Sequence, residues 1–352
     1  MIQHRKSQAY TKDERRWLEL IKFIDYYVEG HTSKGYLNLL QSNLKGIHQI
    51  FLLENCSSFL ATDIFHAVIQ KFKSMTIERI RSIEKSSIME GIIIRELGLA
   101  ILNERIYEGD KEKTNRINLR KNSSIPMRES HEERFQEAYE YFQEGLKIHE
   151  QLEKIYIDRM NFHQADRIIG NLQERLFADI NHKKHPSVIY ERFFGTNTAK
   201  GIKNTLANLV TPIAHKIFIV GRAGTGKSYL MNQILKKGIS LGIDFEVYRC
   251  SLDPDSIDML IVRELNLCIH DNTSPHVIDW VDDAEVIDMY KLTVKAGTDE
   301  LFQQEIESLE KNYQDKMKKA LHCLSERTVY DEEGEIKASE LQSIVNHIIK
   351  SI

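Results

Sequence analysis

The sequence predicts an α/β protein of two tandem P-loop NTPase-like modules, each a parallel sheet wrapped by helices and each followed by a long helical hairpin. Three observations carry this expectation. In the second half an apolar run enters a glycine-rich loop and leaves as a helix. The same succession of segments recurs in the first half, with the loop glycines gone. After each copy comes a long stretch whose apolar residues fall at spacings of three and four.

The loop comes first because it carries chemistry. Residues 217–220 read as a short buried strand, followed by Gly221-Arg222-Ala223-Gly224-Thr225-Gly226-Lys227-Ser228 and a helical pattern. This is G-x-x-x-x-G-K-[ST] between a strand and a helix. Its glycines let successive N–H groups turn inward as an anion nest, and the helix adds its positive end. The loop amides are then expected to hold phosphate oxygens, Lys227 to reach the β- and γ-phosphates, and Ser228 to ligate Mg²⁺. A second Mg²⁺ carboxylate is expected on a neighbouring strand end, and Asp271, closing the apolar run 267–270, is the leading candidate. Asp253 and Asp255 in the SLDPDS loop are its rivals.

The repeat aligns Gly30 with Gly195, Lys34-Gly35 with Lys200-Gly201, and His48 with His215. Further on, residues 91–103 lie over 259–271 around a shared Arg-Glu-Leu. In this alignment the first copy of the loop is 54–61, with Leu60 in the place of the lysine and Ala61 in that of the hydroxyl. Asn103 stands where the second copy has Asp271. The first module is therefore expected to be structural.

The expected divisions are a tail 1–15, a degenerate module 16–125, a hairpin and linker 126–185, an intact module 186–298 and a C-terminal hairpin 299–352. Within the first module the patterns predict a helix over 10–27, strands at 50–53, 92–94 and 99–102, and a helix at 62–72. The basic stretch 109–124 reads as a solvated loop. Residues 131–179 read as a hairpin whose pattern resets at Met160-Asn161-Phe162. In the second module strands are expected at 190–194, 245–249, 259–262 and 265–269, and helices at 201–209 and 228–237, the latter stopped by Gly238 and Gly242. Apolar stripes over 302–324 and 341–352 predict the second hairpin.

Composition narrows the class. At 352 residues, 41% hydrophobic and 28% charged, the chain suits a globular protein with more than one core. A net charge of −4 offers no global attraction to nucleic acid or anionic membrane, and no run approaches the ~20 apolar residues of a bilayer span. Cys56, Cys250, Cys268 and Cys323 are scattered without metal-ligand spacing. With a charged N-terminal stretch, this predicts a cytoplasmic location.

Hydrolysis also needs a group that orients water. Asn272, not Glu, follows Asp271, which points to slow or regulated turnover. Thr273 and His276 are candidates for the γ-phosphate side, and Arg222 and Arg263 for charge stabilisation. Arg263 could equally form a surface ion pair with Glu264.

The repeated T-[SA]-K-G opener, GRAGTGKS, CSLDPDSIDMLIVREL, DNTSPH at 271–276 and KIHEQLEKIYIDRMNF resemble a bacterial family of tandem P-loop proteins described as predicted ATPases or nucleotide kinases. The resemblance covers essentially the whole chain and implies ATP (or GTP) and Mg²⁺ as ligands. The family pattern has an intact loop in both modules, and this chain departs from it in the first. The leading expectation is an NTP hydrolase with one site, where Lys227 and Asp271 carry the chemistry. A nucleotide or small-molecule kinase, with SLDPDS as acceptor wall, and a nucleotide-gated scaffold are the alternatives. The helical hairpins are the expected surface for a protein partner, and a homo-oligomer is compatible with the sequence.

Overall fold

The computed structural model describes residues 22–119, 131–279, 281, 283–328 and 336–352. The first module contains β1 (Lys22–Tyr26), β2 (Glu29–Thr32), β3 (Gly35–Asn38), α1 (Leu40–Asn43), β4 (Gln49–Glu54), α2 (Ser58–Ile69), β5 (Thr76–Arg81), β6 (Met89–Ile94), β7 (Leu99–Asn103) and β8 (Asn115–Asn118). Two long helices follow, α3 (His131–Ile157) and α4 (Phe162–Phe177). The second module contains β9 (Ile189–Arg192), β10 (Gly195–Thr198), β11 (Gly201–Asn204), α5 (Leu206–Val210), β12 (His215–Val220), α6 (Lys227–Ser240), β13 (Phe245–Arg249), β14 (Ile257–Val262), β15 (Leu267–Asp271), β16 (Glu285–Asp288), α7 (Met289–Thr293) and α8 (Thr298–Leu301). Helices α9 (Gln303–Arg327) and α10 (Ala338–Lys350) complete the described chain.

Each module forms a six-stranded sheet, in the order β1-β5-β6-β7-β4-β8 and β9-β13-β14-β15-β12-β16. Strand for strand the two orders are the same, so the repeat seen in the sequence is a repeat of topology. The sheets are mixed. β6 and β14 run antiparallel to both neighbours, while the other neighbouring pairs are parallel. This corrects the all-parallel expectation, and the connection explains it. One three-residue turn, Arg95–Leu97 or Arg263–Leu265, ends in a left-handed residue (Gly98 at φ 59°, Asn266 at φ 48°). So short a link can only bring the chain back antiparallel, whereas parallel neighbours need a crossover of about a dozen residues.

The long helices cover the outer face of each sheet, while only the short α1 and α5 join the inner cluster. On the inner faces Leu52, Ile93 and Leu102 share one buried cluster with Phe218, Met259, Ile261 and Cys268. The strands alternate, so Phe51, Leu53, Ile92 and Ile101 point outward, where α2 and α10 cover them. In the second module Ile217, Ile219, Leu260 and Ile269 are covered by α4 and α6. The expected hairpins do not form. Asn161 caps α4, accepting from the Gln164 N–H at 3.0 Å, and Met160 bridges to Val294, which swings α4 onto the second module. Meanwhile α3 pairs antiparallel with α9, as Glu137–Arg327 at 3.1 Å and the His149–Tyr313 ring contact at 5.7 Å show. The helix after each module thus seals the outer face of the other. The apolar stripes expected to meet a partner meet each other instead.

Other boundaries shift too. β1 replaces the end of the helix expected over 10–27, whose earlier part lies outside the described residues. A β10–β11 hairpin takes the first half of the helix expected over 201–209, as its counterpart β2–β3 does in the first copy. Part of the basic stretch 109–124 is edge strand β8, and residues 120–124 lie outside the described ones. Gly238 does not stop α6: a Cβ there would lie 2.3 Å from the Phe245 ring, so its bare Cα admits the strand.

The modules meet on a pseudo-twofold axis. Tyr27 and Phe193 hold equivalent positions in the two copies and exchange backbone hydrogen bonds at 2.9 Å in both directions. Beside them Arg192, 0% exposed, hydrogen-bonds Glu78 at 2.8 Å and Asn43 at 2.7 Å, forms an ion pair with Glu246 at 3.2 Å, and lies 3.8 Å over the Tyr26 ring. Arg95 grips Glu78 at 3.0 Å, and Arg263 grips Glu246 at 2.8 Å. The repeated Arg-Glu-Leu therefore serves this interface, and Arg263 pairs with Glu246, not Glu264. Burial alone would raise the Glu246 carboxyl, but Arg192 and Arg263 outweigh it and hold it at about 2.

Arg192→Met leaves two buried carboxylates facing each other and is expected to cost about 3–5 kcal/mol in urea unfolding. Adding Glu78→Gln and Glu246→Gln should recover part of that loss. A depressed carboxyl stabilises above its unfolded value of 4.5, so the contribution of Glu246 is lost as pH falls from there toward 2. Stability of the wild type should drop over that acid window.

Candidate phosphate-loop site

β12 and β15 are parallel neighbours, with Ile219 opposite Asp271. The strand ends therefore set Asp271 beside the loop that leaves β12. Gly221, Gly224 and Gly226 take φ of 153°, 72° and 84°, values that L side chains rarely adopt. Gly226 then opens α6, whose first residue is Lys227.

Lys227 is 9% exposed and folds back over the loop. Its Nζ donates to the Arg222 carbonyl at 2.7 Å and the Gly221 carbonyl at 3.3 Å, and lies 3.7 Å from Asp271 Oδ2. Thr225 is buried and its hydroxyl donates to the Arg222 carbonyl at 2.8 Å, closing the turn that Ala223 and Gly224 complete. Ser228 Oγ accepts from the Ile257 N–H at 3.2 Å, which ties α6 to β14. Arg222 points away from the loop to Asp299 at 2.7 Å, so it is held by an ion pair on α8.

Two residues of the site went unremarked in the sequence. Asp258, on β14, is raised to about 8 by burial and by the charge of Asp271, partly countered by a hydrogen bond from Cys250 and by Lys227. Two carboxylates thus face each other beside a lysine. The signal was in the repeat, because Glu90 holds the same place in β6. Glu153, from α3, is the other. Burial raises its carboxyl, while Lys227 and the Gly224 amide oppose the rise. The backbone of α3 lies so close to the loop that a Cβ on Gly224 would sit 2.3 Å from the Glu153 carbonyl oxygen.

The other candidates sit elsewhere. Asp255 pairs with Lys34 of the first module, and both oxygens of Asp253 are taken by the Asp255 N–H and the Ser256 hydroxyl. Thr273 donates to Asp271 Oδ1 at 2.6 Å and so supports it. His276 is packed edge-on against Phe194 at 4.9 Å, and burial together with His270 lowers it to about 4. It belongs to the core. Asn272 uses both ends of its amide on the Ile278 backbone.

In the first module the register corrects the alignment by one residue. Met89 holds the place of Ile257, and its N–H donates to Thr62 at 3.0 Å. Thr62 is therefore the counterpart of Ser228, and Ala61, not Leu60, stands for Lys227. The hydroxyl persists and the lysine is lost. Helix α2 starts three residues earlier than α6 by the same offset, so helix fills the space of the loop. Arg105 enters the pocket instead, 2.8 Å from Glu90 and 2.9 Å from Glu29, with Ser58 3.1 Å from Glu90.

Ser228, Asp258 and Asp271 are hard oxygen donors of the kind Mg²⁺ takes, and the mutual repulsion of the two carboxylates is what a cation would relieve. Among the described residues no group of three His, Cys, Asp or Glu could hold a metal by itself. Phosphate oxygens would have to complete the shell. No helix among them is long and apolar enough to cross a membrane.

Gly224→Ala is expected to push α3 off the loop and cost about 2–4 kcal/mol in thermal unfolding, since strain and a backbone clash add. Gly46→Ala, at φ 76° with nothing within 4 Å, should cost only about 1 kcal/mol.

Comparison with known proteins found no matching family model, no matching curated protein and no matching solved structure.

Proposed function

We propose that the chain binds a nucleoside triphosphate, ATP or GTP, with Mg²⁺ at the loop of the second module, and is a slow or regulated NTPase. This reading places it with the tandem P-loop family it resembles. The observation that carries it is the convergence of Lys227, Ser228 and Asp271 on a loop with three left-handed glycines at the mouth of a fourteen-residue helix. Lys227 already spans the loop and can exchange its carbonyl partners for β- and γ-phosphate oxygens. Ser228 and Asp271, with Asp258 behind them, would hold the Mg²⁺, which supplies charge neutralisation on the phosphates. The first module, where Arg105 supplies the cation internally, is the brace.

Little turnover, the behaviour of a nucleotide-gated scaffold, has one observation in its favour: Asn272 is committed to Ile278 and leaves no water-orienting group after Asp271. The kinase reading has less, because Asp253 and Asp255 are engaged within their own turn and by Lys34.

Equilibrium binding of labelled MgATP should give one nucleotide per chain, weakened at least about thirtyfold by Lys227→Ala. Binding by that variant as tight as the wild type sinks the proposal. Glu153→Gln removes a negative charge facing Lys227 and should tighten triphosphate binding about threefold or more. Phosphate release measured on the same samples separates hydrolase from scaffold.

A further inference from the structure

An open groove of about 580 Å³ lies beside the loop. Its walls are the α3–α4 turn and the segment that follows β16. They are stitched together by the Asn161 N–H donating to the Thr293 carbonyl at 2.7 Å and the Lys295 N–H donating to the Arg159 carbonyl at 3.0 Å. Met160 lines the groove and also reaches the loop, since a Cβ on Gly226 would meet its methyl at 2.6 Å. Groove and loop are therefore adjacent, with the flexible Met160 side chain between them. β16 is the neighbour of β12 on the side away from β15, so the groove opens off the flank of the loop opposite Asp271.

The lining is mixed in a specific way. Phe162 is 57% exposed and Leu292 47%, an aromatic face and an aliphatic face held in water. Arg159, His163 and Lys295 stand around them, and no lining residue is acidic. A flat ring that stacks on Phe162, joined to a sugar and an anionic tail, satisfies both characters at once. A purely apolar ligand would leave the hydrogen-bond donors of Arg159 and Lys295 unused, whereas sugar hydroxyls and the adjoining phosphate oxygens can accept from them. We infer that this groove takes the base and ribose of the nucleotide whose phosphates enter the loop, with Phe162 as the stacking face. The inference rests on the phosphate-loop reading, and its test keeps the two apart by omitting the nucleoside.

The experiment is calorimetric binding of MgATP and of magnesium tripolyphosphate to the full chain as wild type, Phe162→Ala and Phe162→Trp, with circular dichroism to verify folding. The wild type should bind MgATP well above tripolyphosphate. Phe162→Ala should weaken MgATP roughly tenfold and leave tripolyphosphate unchanged. Phe162→Trp should keep MgATP affinity, and its fluorescence should be quenched by MgATP and not by tripolyphosphate. Equal binding of both ligands to the wild type, with no effect of Phe162→Ala, overturns the groove assignment and leaves the loop reading standing. Equal weakening of both ligands in Phe162→Ala marks a structural role and also overturns it. A wild type that binds neither ligand removes the loop reading, and the groove assignment falls with it.

Discussion

Everything else in the molecule depends on one buried guanidinium. Arg192 carries a full charge with 0% exposure, and such a charge is tolerated only where partners replace its hydration. Glu78 comes from one sheet and Glu246 from the other, so the charge can be satisfied only when the two sheets face each other in this register. Arg95 and Arg263 then neutralise the remaining charge on each carboxylate. An apolar interface could slide, because hydrophobic burial is non-directional. The ion cluster fixes the register, and the apolar inner faces supply the bulk of the burial around it.

That constraint explains why the first module keeps its fold without its loop chemistry. Among the described residues the first sheet is the main cover of the second sheet's inner face, and α10 is seated on the first module. An alanine at position 61 leaves the packing of the first module intact, since Ala61 is buried in its core. Losing Glu78 or Tyr27 would open the interface. Arg105 fits the same logic, since the acids at Glu90 and Glu29 stay buried and a protein cation occupies their midst. Within the first module one guanidinium thus bridges two buried carboxylates.

The exchange of α4 and α10 adds a mechanical link. α3 lies against Gly224 and pairs along its length with α9, and α4 follows α3 across the turn at Met160. The covering helix touches the loop backbone at Gly224 and the loop side chains through Glu153, which makes it the element most directly coupled to whatever anion enters.

Much of the fold was legible in local pattern. Strands β4, β7, β13, β14 and β15 fall close to their predicted places because continuous apolar runs report burial on both faces, and the G-x-x-x-x-G-K-[ST] loop sits between strand and helix. What local pattern cannot carry is partner identity. The stripe on α3 says that one face is covered, not that α9 covers it. The Arg-Glu-Leu repeat announces a shared position, but only the tertiary structure aims its arginine at Glu246. Asp258 was hidden because a lone acid in an apolar strand looks like an edge residue until the neighbouring strand places Asp271 against it. The register of the first loop was off by one for the same reason: sequence counts residues, while the Met89–Thr62 hydrogen bond counts positions in space. The sequence by itself determined the two modules, their strands and the composition of the loop, because these follow from covalent neighbours and periodicity. The tertiary structure alone decided how the sheets face, which helix covers which, and which charges meet, because those are set by contacts between residues far apart in the chain.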